Sequence, residues 1–262
     1  MKQILDSLKS GNWRALLACF LYFDTGFTVW VMLGPLAPFI GKAITMTPAQ
    51  QGFLVAVPVL AAAILRVTLG NLFQSTDGKK LALMGIALSS IPSFVLLLMP
   101  EAPSYTLLLV LGVFLGVGGA SFAVALPMAG SNYPPKVQGL VLGLAAAGNI
   151  GAVLDGFMFP GIAEHYGWQK ATAAALPLLA LTAAAVLFWA KDLSAKSGSN
   201  KAGLAGFFVL LAGLVVLVLL VSGGYLGQGK TGLLLLRRSA PRWPSPCCRS
   251  ATAPCWPSAT PG

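Results

Sequence analysis

Seven stretches of this sequence stay apolar for about the length of a bilayer crossing. They run 15–40, 52–73, 81–99, 104–130, 137–162, 171–190 and 203–223. An α-helix needs about 20 such residues to span the hydrocarbon. Transmembrane β-strands alternate apolar and polar positions, whereas "FVLLLM" and "LLAGLVVLVLLV" are apolar all round, so a β-barrel is excluded. Only 9% of the 262 residues are charged and 56% are hydrophobic, where an average chain is about 25% charged. A soluble domain could not cover its surface with so few charges. The first stretch is too long for the apolar core of a signal peptide and lacks a cleavage site of small residues. The chain reads as an all-α, multi-pass membrane protein.

The basic residues set an orientation. With the N-terminus in the cytoplasm, Lys2, Lys9, Arg14, Lys79, Lys80, Lys136, Lys191, Lys196 and Lys201 fall inside and only Lys42 and Lys170 outside, nine against two. That is a positive-inside asymmetry, and it accounts for much of the net charge of +10. No basic-aromatic constellation points to nucleic acid. Outer loops are expected at 41–50, 100–103 and 163–170.

The composition changes after residue 236. The segment "RRSAPRWPSPCCRSATAPCWPSATPG" holds three of the four cysteines (Cys247, Cys248, Cys255) and four Arg but no Lys, where the preceding residues hold eleven Lys and two Arg. It has no apolar period. Residues 230–262 are expected to be a disordered tail translated in a shifted reading frame; a genuine disordered tail is the alternative. The cysteine spacing suits neither a metal site nor a disulfide framework. The expected organisation is a six-helix unit over 1–201, a seventh span over 202–229 and this tail.

Three charged residues lie inside predicted spans, and charges there default to functional candidates. Arg66 is one. Its long side chain can snorkel to the headgroups, or, among Gly, Ala and Thr, face other helices and clamp an anion. Asp24 can pair with a cation, carry a proton or sit near the cytoplasmic mouth. Asp155 comes six residues after Asn149 and so does not share its helix face; its role is open.

"GLAAAGNIGAVLDG" (143–156) is unusual even for a membrane. Gly139, Gly143, Ala147 and Gly151 recur every four residues, a small-residue stripe that lets another helix come close. Asn149 lies off the stripe among alanines. It serves either a small polar substrate or a structural interhelical hydrogen bond.

"SNYPPKVQGLVLGLAAAGNIGAVL" resembles the fifth-helix signature of the nitrate/nitrite porters of the major facilitator superfamily, matching at Pro134, Lys136, Gln138, Gly139, Gly143, Gly148, Asn149 and Gly151. "AAILRVTLGNLFQSTDGKK" resembles that family's second helix, whose nitrate-binding Arg falls on Arg66. "GVGGASFAVALP" resembles the fourth helix, with the anion-packing aromatic on Phe122, and "FTVW" the first, with Phe27 as a second pocket aromatic. The likeness covers about residues 14–195. It departs after helix two, where Gly70 is followed by Gln74 rather than Asp, so the superfamily's usual loop-to-helix charge contact is not expected from that position.

The resemblance implies the N-terminal six-helix bundle of a major facilitator transporter, followed by one further span. It implies nitrate or nitrite transport by alternating access across a bacterial cytoplasmic (inner) membrane, with protons as a candidate co-substrate and no cofactor. Arg66, Asn149, Phe122 and Phe27 would hold the anion, and Asp24 and Asp155 are candidate proton or ion-pair residues. The family's second nitrate-binding Arg belongs to a C-terminal half that this sequence lacks, so an incomplete transporter is expected. A non-transporting product and a carrier of an organic solute are the alternatives. An enzyme is disfavoured: there is one His, and neither a G-x-S-x-G nor an H-E-x-x-H motif.

Overall fold

A computed structural model describes residues 11–99, 103–193 and 201–225. The expectations for Lys2, Lys9, Lys196 and the 230–262 tail lie outside those residues. All regular elements among the described residues are helical. Among the described residues, seven helical stretches are long and apolar enough to cross a membrane: Trp13–Ala43, Pro48–Phe73, Gly78–Leu98, Tyr105–Gly130, Pro135–Tyr166, Trp168–Trp189 and Lys201–Gly223. They are called here the first to seventh spans.

Polar caps start four of them. The side chain of Asn12 accepts from the Ala15 amide, Thr47 from Gln50, Asp77 from Lys79 and Ser104 from Leu107. Each satisfies one of the amides left free in a first helical turn. Thr47 and Gln50 complete a reciprocal capping box with Pro48 at the first helical position. Pro is tolerated there because its missing N–H would have no intrahelical partner.

The expected outer loop over 163–170 is absent. The fifth span runs helically to Tyr166 and the sixth starts at Trp168, so one residue, Gly167, makes the whole reversal. Its φ of +88° lies in the region that a residue without Cβ enters without strain.

The fourth span is the most buried of the seven and packs on the first, second and third. The sixth packs on the first and third, and the fifth on the first. The seventh lies outside this group, against the second and fourth, and is the least buried. Its length and position agree with the expected 203–223 crossing.

Two spans are interrupted where the sequence is richest in small residues. The fourth breaks at Ala120–Ser121, between helices Tyr105–Gly119 and Phe122–Gly130. The fifth breaks at a 3-10 turn, Ala147–Asn149, between helices Gln138–Ala146 and Ile150–Tyr166.

That second break corrects the small-residue stripe. Gly139 and Gly143 have open space where a Cβ would stand, so no helix among the described residues comes close to them. The close approach is made by Gly148 and Gly151: a Cβ on Gly148 would lie 3.1 Å from the Asp24 nitrogen and the Phe20 carbonyl oxygen, and one on Gly151 would lie 2.5 Å from Asp24 Oδ1. A 3-10 turn advances about 3.0 residues per turn rather than 3.6. The residues before it are therefore rotated out of line with those after it, and the spacing that faces the first span is three, not four.

The loop after the second span also has its contact, from a different residue. The Gly78 amide donates to Asp192 Oδ2 at 2.7 Å, across from the end of the sixth span. Asn132 Nδ2 donates to the Lys191 carbonyl at 2.7 Å, so the ends of the third, fourth and sixth spans are tied together.

Candidate functional site

The first span carries Phe23, Phe27 and Trp30 at i, i+4 and i+7, one face of an α-helix. Their rings stack edge to face, with centroids 4.8 Å apart for Phe23–Phe27 and 4.8 Å for Phe27–Trp30. Phe122, the first residue after the break in the fourth span, joins them at 5.6 Å from Phe23. The indole N–H of Trp30 donates to the Pro58 carbonyl at 3.0 Å and fixes the ring against the second span.

Glycines permit this. A Cβ on Gly119 would lie 2.5 Å from the Trp30 ring, and one on Gly118 would lie 2.7 Å from the Gly26 carbonyl oxygen. "GVGG" therefore lets the first and fourth spans touch backbone to backbone, with Trp30 laid on Gly119.

Arg66 turns into this bundle. Its Nη2 donates to the Gly119 carbonyl at 2.9 Å. Its Cζ lies 5.2 Å from the Phe122 ring centroid and 5.9 Å from that of Trp30, within the range of cation–π attraction. Its Nε is buried and has no acceptor. The side chain is half-buried, and its hydrogen bond runs to another helix. Phe122 remains 38% exposed, so the ring beside the guanidinium keeps an open face.

Asn149 is exposed, and among the described residues its side chain makes no capping hydrogen bond. It stands at the N-cap of helix Ile150–Tyr166, where an Asn would normally accept from the amide two or three residues on. Two facts free it from that task. Its backbone is right-handed helical (φ −61°, ψ −13°) rather than extended, and the Gly151 amide already donates to Asp24 Oδ1 at 2.8 Å. The amide of Asn149 is thus available for something else. No contact joins Asn149 to Arg66; the link is indirect, through Gly148 packed on Phe23 and Phe23 stacked on Phe122.

The two acidic candidates differ in setting. Asp24 is half-buried and caps the fifth span. Asp155 is 1% exposed, beside Thr28 of the first span. Phe27 is partly buried within the aromatic row. Trp30, Phe23 and Gly119 were missing from the sequence reading. The i, i+4, i+7 spacing of the three aromatics was the signal that could have found the first two.

The family model of the Major Facilitator Superfamily matches residues 16–235. Among curated relatives, the "Probable nitrate transporter NarT" of Staphylococcus carnosus (strain TM300) is 33% identical over 163 residues, covering 62% of this chain and 41% of that protein. The protein of the same name from Staphylococcus aureus (strain JH9) is 34% identical over 158 residues, covering 60% of this chain and 40% of that protein. The matched region thus spans about two fifths of the length of these relatives.

Proposed function

Because this chain belongs to the Major Facilitator Superfamily, we propose that it takes part in moving nitrate or nitrite across a bacterial cytoplasmic membrane, with its N-terminus in the cytoplasm. Residues 1–201 act as one six-helix half of the transporter and 202–229 as an added span.

The observation that carries the reading is Arg66. It is a charged fork of donors inside an apolar bundle, flanked by two ring faces and holding an unpaired Nε–H. A buried donor without a partner costs about 1–3 kcal/mol. An arriving oxyanion supplies the missing acceptor, and charge-assisted bonds to it are about twice as strong as neutral ones. Nitrate is planar, delocalised and weakly hydrated, so stripping its water costs less than for a compact anion. Phe122, Trp30 and Phe27 wall a flat ion, and the free amide of Asn149 adds a directional donor from the fifth span. Major facilitator proteins bind substrate near the midplane between repeated halves, which then rock. In that scheme Arg66 and the aromatic row are the fixed wall, and Asn149, on the interrupted helix, is the part that shifts.

Line broadening of isotopically labelled nitrate by the purified chain in detergent tests the reading. Broadening that is lost in Arg66→Lys and absent with sulfate is the expected result. Equal broadening by both chains would remove Arg66 from the site.

A further inference from the structure

The first and fifth spans meet through two rungs one helical turn apart. On the first span the partners are Asp24 and Thr28; on the fifth they are Gly151 and Asp155. Both pairs are spaced by four, so each lies on one face of its helix. The lower rung is the Gly151 N–H bond to Asp24 Oδ1 at 2.8 Å. A Cβ on Gly151 would also lie 3.0 Å from Thr28 Oγ1, which places Thr28 between the rungs. The upper rung is a proximity: Asp155 lies beside Thr28.

Asp155 is not explained by anion binding. It is 1% exposed, and its Oδ2 is buried with no hydrogen-bond partner. The elements packed on its helix are the first span, including its Leu33–Ala43 part, and helix Trp168–Ala173 of the sixth. Their charged groups are Arg14 at the start of the first span, Asp24, Lys42 and Lys170, and Cys19 and Tyr22 of the first span are titratable as well. The two lysines stand near the ends of their helices, and among the described residues no cation pairs with Asp155 or Asp24. On its own helix, Glu164 and His165 lie more than two turns away. The charge that bears on Asp155 is that of Asp24, and it is of the same sign.

We propose that Asp155 is a proton-binding site at the joint between the first and fifth spans. The orphaned Oδ2 takes one proton from water: an O–H bond forms on the carboxylate and a hydronium ion becomes water. The Gly151 amide, donating to Asp24 Oδ1, favours the charged form of Asp24. With Asp155 neutral, the two carboxyl groups sit together without repulsion and the joint is closed. Loss of the proton sets two like charges one turn apart in a water-poor contact, where both cannot ionise cheaply, and pushes the spans apart. The site stands whichever anion the protein carries, so its test uses none.

Infrared spectra of the full chain in detergent, with aspartate carboxyl carbons labelled by carbon-13, read it directly. A protonated carboxyl stretch should be present near neutral pH and should shift with the label. It should persist in Asp24→Asn and vanish in Asp155→Asn. If Asp155→Asn does not fold, persistence in Asp24→Asn with the isotope shift still assigns the proton to an aspartate other than Asp24, and Asp6, Asp77 and Asp192 lie outside the spans. A spectrum with no protonated aspartate near neutral pH, or a band that Asp24→Asn abolishes, would overturn the proposal.

Discussion

The carboxylate of Asp24 caps a helix that it does not belong to: its Oδ1 accepts the Gly151 amide at 2.8 Å, 127 residues along the chain. A negative group at a helix N-terminus is favoured by the helix dipole as well as by the hydrogen bond. The contact holds the interrupted fifth span against the first, and it spares Asn149 for other use.

Replacing Asp24 should therefore loosen this joint in graded steps. Asp24→Asn keeps an acceptor and should cost about 1 kcal/mol; Asp24→Ala leaves a free amide and should cost about 1–3 kcal/mol. Thermal unfolding in detergent reads the order. Equal stability of all three chains would show that the bond holds nothing.

Arg66→Lys should keep the protein in the membrane and remove most nitrate transport when the chain is tested joined to a complete second half. Lys preserves charge but not the planar fork that makes two parallel bonds. Asn149→Ala should weaken transport less, since a neutral hydrogen bond contributes about 0.5–1.5 kcal/mol against about 1.5–3 for one to a charged group. Uptake at equal expression ranks the two; the reverse order would shift the main contact to the fifth span.

Gly119→Ala should displace Trp30, because the new methyl would lie 2.5 Å from its ring. Arg66 bonds the carbonyl of that same residue, so the shift reaches the guanidinium. Altered tryptophan fluorescence together with weaker nitrate broadening is expected. A fluorescence change with unaltered nitrate response would separate Trp30 from the site.

Cysteines introduced at Ala43 and Ala195, in a chain whose own cysteines are replaced, report orientation. A membrane-impermeant reagent added outside should label position 43 and not 195. The opposite pattern would reverse the reading of the lysine distribution.

The spans were legible because apolar length is a one-dimensional property: each observed crossing overlaps the stretch read from composition, with ends set by caps such as Thr47 and Asp77. The candidate pocket was legible only in part. Arg66 stood out because a charge in an apolar run is conspicuous, whereas Trp30 and Phe23 hide among other hydrophobic residues and become a wall only once Gly118 and Gly119 bring the fourth span close. The glycine stripe misled because its four-residue spacing assumes an unbroken α-helix. The run of small residues marks where the fifth span can break, but no single residue in it fixes the 3-10 turn at Ala147–Asn149, which tertiary contact with Phe20–Asp24 accompanies.

Gly167 has a mechanical consequence. A connection of one residue has no slack to lend, so the fifth and sixth spans cannot slide far apart at that end. The sixth is pinned in turn to the first by the Thr25–Thr182 hydroxyl pair at 2.7 Å, and the first to the fifth by Asp24. Three helices joined pairwise at separate points form a triangle, and a triangle, unlike a hinged square, cannot shear without breaking one of its joints. Motion in this part of the bundle is thus all-or-none: the trio travels as a unit, or the Asp24 joint opens first.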